Sequence, residues 1–138
     1  DSVAGTIQIA TRNEMQTGTA TNRAVTPGRQ HFHPTHPKAY GRIVISGGAP
    51  TLAKHHGIAS VADLGTGHYR VTLQNAMADM NYIVVGTSAA SSNNSMGGVG
   101  IQKISTTTFD IWLGDLADSA PGDPMDQNVD FIVIGDLA

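Results

Sequence analysis

Histidines in residues 31–36 are the side chains best suited to bind a metal. His31 and His33 are separated by one residue, and in an extended backbone two such residues point to the same side. Two imidazoles are too few for a closed site, but a threefold axis would bring six together, a set suited to iron, nickel or zinc. The alternative is that both are surface or capping histidines beside prolines, so that the chain requires no cofactor.

Two further groups of possible ligands are weaker. His55 and His56 are adjacent in sequence, so on a strand they face opposite sides and cannot bind one ion together. The segment 114–128 is rich in aspartate, which suits calcium, but it lacks the order of an EF-hand loop and its final glutamate. A solvated loop is therefore the favoured interpretation of Asp115, Asp118, Asp123 and Asp126.

Trp112 is the residue most suited to contact another molecule. The alternation in residues 107–113 places Phe109, Ile111 and Leu113 toward a core, so Trp112 and Asp110 are expected on the opposite face. An outward tryptophan either anchors a subunit interface or provides a stacking platform for a sugar ring. Polar loop residues extend the predicted contact surface, which comprises Trp112, Asp110, Asn93, Asn94, Asp118 and Asp123.

The sequence contains little that indicates catalysis. It has no glycine pattern of a nucleophile elbow, and Glu14 is its single glutamate. An enzyme that cleaves polysaccharides would need two opposed carboxylates. Aspartates could supply them, so such an enzyme stays an alternative, although the chain is short for the long repeat scaffolds typical of those enzymes. We predict that the chain is not an enzyme.

Strands must position these side chains. Residues 68–74 alternate apolar and polar side chains with period two, which is typical of a half-buried strand. Similar runs separated by Gly, Asn and Asp predict an antiparallel β-sandwich, jelly-roll-like, over residues 39–138. The predicted strands are 41–46, 58–64, 68–74, 81–88, 98–104, 107–113 and 129–135.

Residues 1–38 differ from the rest because they are polar and rich in Thr and Gly. Thr11 and Glu14 have the spacing of a capping box, and Pro27 after Thr26 fits the first position of a helix. Two short helices are therefore expected. The segment has too few apolar residues to bury a surface alone, so we predict an N-terminal arm that packs along a threefold axis or on a neighbouring subunit.

Composition limits the classes of partner. Only 14% of the residues are charged, against 40% hydrophobic, and such a low charge content suggests that neighbouring chains cover much of the surface. The net charge of -3 without a basic cluster argues against binding nucleic acid. No apolar run approaches the roughly 20 residues that span a bilayer, which argues against membrane insertion. Cysteine is absent, which excludes disulfides and thiolate sites.

Several segments resemble phage tail-fibre proteins. Residues 5–14, GTIQIATRNE, and 18–27, GTATNRAVTP, are similar to the "IxxATxxE" and "AVTP" connector near the end of many such fibres. Residues 33–40 resemble the "HP…KAW" segment before their terminal β-domain, with Tyr40 in place of the commoner Trp. Residues 60–69, SVADLGTGHY, and 76–82, AMADMNY, resemble two further motifs of that domain, in the same order.

The resemblance implies a virion structural protein at the tip of a tail fibre or spike, located outside the cell. Its partners would be two further copies of itself, other fibre or tail proteins, and a host surface glycan or protein. The family supplies no catalytic residues. A structural decoration or filament module without a specific ligand is the alternative from another class.

Overall fold

A computed structural model describes residues 7–89, 97–115 and 123–138. Of the described residues, 54% lie in strands and 8% in helices, which confirms the predicted all-β sandwich. The two short helices are α1 (Arg12–Thr17) and α2 (Pro27–Gln30). The strands are β1 (Ala39–Ser46), β2 (Ala49–His56), β3 (Ile58–Gly65), β4 (His68–Leu73), β5 (Ile83–Ala89), β6 (Gly97–Lys103), β7 (Thr108–Asp115) and β8 (Asn128–Ile134).

The strands form two antiparallel four-stranded sheets. One has the order β2-β1-β8-β5 and the other β3-β4-β7-β6. The chain changes sheet between β2 and β3, between β4 and β5, between β5 and β6, and between β7 and β8, so both sheets draw strands from the whole length of the domain. Residues distant in sequence therefore become cross-strand neighbours, which matters for the candidate site.

The core lies between the two sheets. Tyr69, Val71 and Leu73 alternate inward along β4, as predicted, and Phe109 on β7 meets Phe131 on β8 edge to face at 5.5 Å between ring centroids. Large apolar side chains thus fill the space between the inner faces, so the two sheets share one hydrophobic core.

Gly67 holds the β3–β4 hairpin against β7. Its φ is +65°, and a Cβ there would lie 2.5 Å from the carbonyl oxygen of Leu113. The backbone N–H of Leu113 in turn donates to the carbonyl of Gly67 at 2.7 Å. Only glycine satisfies both the left-handed conformation and this close approach.

The two short helices expected in the arm are present. The predicted capping box at Thr11 also forms, and its hydrogen bonds with those of Arg23 lower the pKa of Glu14 to about 2. Met15 in α1 is buried. Ile7, however, stays 77% exposed, and such apolar surface still suits a neighbouring chain.

Arg12 connects the arm to the sandwich within the same chain. Its guanidinium donates to the carbonyl of Leu137 and lies 5.1 Å from the centroid of the Phe32 ring. Neither helix among the described residues is long and apolar enough to cross a membrane.

Candidate functional site

The outer face of the β3-β4-β7-β6 sheet carries the most exposed aromatic side chain of the sandwich. Trp112 is 45% exposed, which agrees with the outward orientation predicted from the alternation in β7. Its cross-strand partners are His68 on β4 and Gly100 on β6. One side of the tryptophan therefore faces an imidazole, and the other faces a residue without a side chain.

His68 supports one face of the indole. The two ring centroids are 3.5 Å apart and the planes are inclined by only 16°, so the rings stack over their whole area. The Nε2 atom of His68 lies 3.0 Å from a carboxylate oxygen of Asp110. This hydrogen bond fixes the imidazole, and the imidazole in turn restricts the rotation of Trp112.

Asp110 is the centre of this cluster. Both its oxygens accept hydrogen bonds from Arg70, at 2.7 and 2.9 Å, in the bidentate geometry that arginine and carboxylate favour. The hydrogen bonds from Arg70, and then that from His68, hold the pKa of Asp110 below its ordinary value in spite of burial. Asp110 is therefore a carboxylate that holds the side chains of Arg70 and His68 in place by hydrogen bonds.

The sequence predicts Asp110 as a contact residue, but its burial makes direct contact with a partner unfavourable. It lies on the same face as Trp112, as expected, but it is only 2% exposed because Arg70 and His68 cover it. A ligand on this face would therefore meet Arg70 and Trp112 rather than the carboxylate. Sequence analysis did not identify His68 or Arg70, because their proximity depends on the pairing of β4 with β7.

A slot of about 340 Å³ opens beside Trp112 on the Gly100 side. Three glycines line it together with a tryptophan, a proline and two aliphatic residues; the residues are Gly98, Val99, Gly100, Trp112, Leu113, Gly114 and Pro124. A side chain at the glycine positions would occupy this space. The slot therefore has a flat aromatic wall and a floor formed by backbone.

The remaining residues of the predicted contact surface are only partly described. Asn93, Asn94 and Asp118 lie outside the described residues. Asp123 is exposed, accepts a backbone hydrogen bond from Asp115 at 2.9 Å, and directly precedes Pro124 in the slot wall. The structure thus brings Asp123 to the neighbourhood of Trp112.

Asp126 anchors the segment that carries Pro124. One of its carboxylate oxygens accepts from the hydroxyl of Tyr69 at 2.6 Å and from the backbone N–H of Gly67 at 2.8 Å. These two bonds, that of Tyr69 first, lower the pKa of Asp126. This aspartate therefore has a structural partner, in contrast to the solvated loop expected from the sequence.

The geometry expected for His31 and His33 is absent. Instead of an extended strand, residues 29–36 form successive turns, in which the backbone N–H of His33 donates to Gln30 and that of His36 donates to His33. The helix α2 ends at Gln30, and turns follow it through the histidine segment. In such turns residues two apart no longer point to the same side, so the argument from the spacing was wrong.

The two side chains also have different neighbours. The His31 ring lies 5.9 Å from that of His36 and 6.0 Å from that of His56, whereas Nδ1 of His33 bonds to Thr35 at 2.9 Å. Burial, and then the nearby Lys38, lowers the pKa of His31. Within the described ranges, no three imidazole, thiolate or carboxylate groups come together so as to hold a metal ion.

Part of the outer face of the other sheet is apolar, beside the Arg42–Asp130 ion pair. Ile83 and Val85 on β5 are 58% and 57% exposed, and they pair with Ile134 and Ile132 on β8. Tyr40 on β1 continues the row, since it pairs with Ile132 on its other side. We call this set, Tyr40, Ile83, Val85, Ile132 and Ile134, the aliphatic face.

Comparison with known proteins identifies no relative: no family model, no curated protein and no solved structure matches this chain.

Proposed function

We propose that this chain is an attachment module of a phage-type tail fibre or spike, which acts as a homotrimer in the virion and binds a glycan or protein on the host surface. The observation that carries the proposal is Trp112, an exposed indole stacked on His68 with 3.5 Å between the ring centroids. An exposed aromatic side chain that is packed in one orientation before binding loses less entropy when a partner binds.

The resemblance of residues 5–27 and 60–82 to tail-fibre motifs supports placing the module in a virion. It suggests the same partners, namely further copies of the chain, other fibre or tail proteins and the host surface. A trimer would also multiply a modest affinity at each site into strong adsorption.

The aliphatic face supports the assembly. Ile83 and Val85 are each more than half exposed, and contiguous apolar side chains on a soluble surface are typical of protein interfaces. The exposed Ile7 and Val25 of the arm suit the same purpose. We expect light scattering at micromolar concentration to give three copies of the chain, and a folded monomer would contradict this part of the proposal.

Adsorption is the direct test of attachment. Fluorescently labelled wild-type protein should bind host cells, and Trp112→Ala should reduce this binding without changing the oligomeric state. The control is Thr72→Val, an isosteric substitution on the same outer face in β4. Wild-type protein that forms trimers but binds no cell would instead favour a structural module, for which the aliphatic face alone would suffice.

Two further activities stay as proposals to be measured on the same preparation. Metal analysis would detect iron, nickel or zinc at one ion per three chains, the value expected if His31 and His33 meet on a threefold axis. A reducing-sugar assay on host polysaccharide would detect cleavage. We expect no cleavage, since the observation at Trp112 concerns binding only.

A further inference from the structure

The slot beside Trp112 has the shape for one ring. His68 covers one face of the indole, and Gly100, directly across β6, leaves space on the opposite side. Two residues further along β6 and β7, Gly98 pairs with Gly114 on the same outer face. This pair contributes no side chain either. Pro124 also lines the space, beside Gly114, with which it forms a β-bridge.

The surroundings of Trp112 are polar, which distinguishes this face from a protein interface. On the outer face its neighbours are Arg70 and Asp110, with Gln102 paired to Asp110 across β6. The core of a protein interface is usually a cluster of several apolar side chains. Leu64 on β3 and Ile104 directly after β6 are also exposed, but the neighbours of Trp112 along β4, β7 and β6 are hydrogen-bonding groups. A flat indole among such groups suits a sugar, which has an apolar ring face and a polar edge.

The other sheet provides the comparison. Its aliphatic face has five contiguous apolar side chains with Ile83 and Val85 most exposed, so this is the surface suited to another protein chain. The two outer faces thus differ in the chemistry of their partners. Of the two alternatives that the sequence left open for Trp112, interface anchor or sugar platform, this contrast favours the second.

We infer that the Trp112 slot binds one pyranose ring of a surface glycan, stacked on the free face of the indole, with Arg70 and Gln102 placed to reach its hydroxyl groups. This inference rests on the proposed attachment function and specifies its ligand. Arg70 is partly exposed and donates to Asp110 through Nε and one Nη atom. The N–H groups of its other Nη atom can therefore donate hydrogen bonds to a sugar hydroxyl.

Gly100→Val is the sharpest variant, because it fills the slot and leaves Trp112 in place. Gly100 is not among the glycines with positive φ, and a Cβ there would make an ordinary contact of 3.5 Å with the Cβ of Trp112. Valine also favours strands, so the fold should tolerate it. Ser60→Val on β3 adds a similar apolar group to the same sheet and serves as the matched control.

Binding can be measured at this site alone, because Trp112 is the single tryptophan of the chain. Titration with free hexoses and N-acetylhexosamines, and with polysaccharide extracted from host cells, should change the fluorescence of the wild type and of Ser60→Val. Isothermal titration calorimetry, which does not depend on the tryptophan, should show that Gly100→Val and Trp112→Phe bind the polysaccharide about three- to tenfold more weakly, a loss typical of a weakened stacking contact. Equal melting temperatures would show that Gly100→Val is folded.

The outcomes separate the inference from the proposed function. If wild-type protein adsorbs to cells and adsorption is lost after periodate oxidation of the cells, a glycan is the ligand and the inference is supported. If adsorption is lost only after protease treatment, or if Gly100→Val and Trp112→Phe bind as well as the wild type, the inference is overturned while attachment stands. If wild-type protein does not adsorb at all, attachment itself fails.

Discussion

The hydrogen bond between Tyr69 and Asp126 should stabilise the sandwich by a measurable amount, which Tyr69→Phe would remove. The hydroxyl of this fully buried tyrosine donates to the carboxylate at 2.6 Å. Hydrogen bonds to charged groups contribute about 1.5–3 kcal/mol. Asp126 is exposed and keeps its bond from the backbone of Gly67, so we expect the lower end, about 1.5–2 kcal/mol.

A loss of this size is easily detected. For a chain of this length, 1 kcal/mol corresponds to roughly 3–5 °C in melting temperature, so Tyr69→Phe should melt about 5–8 °C below the wild type. Urea denaturation at matched protein concentration should likewise show that Tyr69→Phe is less stable than the wild type. Tyr82→Phe is the control, because that hydroxyl donates to the uncharged carbonyls of Ser105 and Thr108; its loss should cost about 1 kcal/mol.

The pH dependence distinguishes the two variants. The pKa of Asp126 is lowered from 3.8 in the folded chain, so its contribution is present above pH 3.8 and is lost as the pH falls through the folded value. The difference between wild type and Tyr69→Phe should therefore shrink in acid, whereas that of Tyr82→Phe should not. A constant difference for Tyr69→Phe down to about pH 2 would refute the charged hydrogen bond.

In alkali the sign is reversed. Burial, together with the bond to Asp126, raises the pKa of Tyr69 above its ordinary value of 10.0, so its contribution is present below pH 10.0 and is lost as the pH rises. Burial also raises the pKa of Tyr82. Each phenylalanine variant should consequently lose stability less steeply above pH 10.0 than the wild type does.

Three further predictions concern single positions. Gly67→Ala should cost more than about 2 kcal/mol in urea denaturation because its Cβ would strike backbone, whereas Gly47→Ala, at a similar φ of +61° in open space, should cost only about 1 kcal/mol. Arg12→Ala should expose the arm to limited proteolysis while the sandwich stays intact. Asp110→Asn should lower the melting temperature at pH 7, and this deficit should shrink as the pH falls below 3.8, because the pKa of Asp110 is lowered by Arg70 and His68.

Seven of the eight strands could be predicted from alternation and turn residues. The exception is β2, Ala49–His56, which begins with Ala-Pro and ends with Lys and two histidines. Its pattern is weak because it lies at the edge of its sheet and is mostly exposed. Proline is tolerated at such an edge, so pairing with β1 rather than local preference makes this segment a strand.

The outward orientation of Trp112 could be predicted from the sequence, but the residues that surround it could not. Alternation along β7 places Trp112 outward whatever strand lies beside it. The burial of Asp110, however, depends on Arg70, which is 40 residues away in sequence, and therefore on the β4–β7 register. The extended backbone assumed for His31 and His33 is absent for a local reason, since hydrogen-bonded turns follow α2 in this segment.

The two outer faces together restrict how the proposed trimer can be built. Ile83 and Val85 gain most from burial, since each is more than half exposed, and apolar area removed from water contributes about 25 cal/mol per Å². Trp112, by contrast, can bind a glycan only if the β3-β4-β7-β6 sheet stays accessible. We therefore expect subunits to meet through the aliphatic face and to present Trp112 outward. Val85→Lys should then dissociate the trimer and leave the affinity of each slot for free sugar unchanged. If Val85→Lys instead abolishes sugar binding and leaves the trimer intact, the roles of the two faces are reversed.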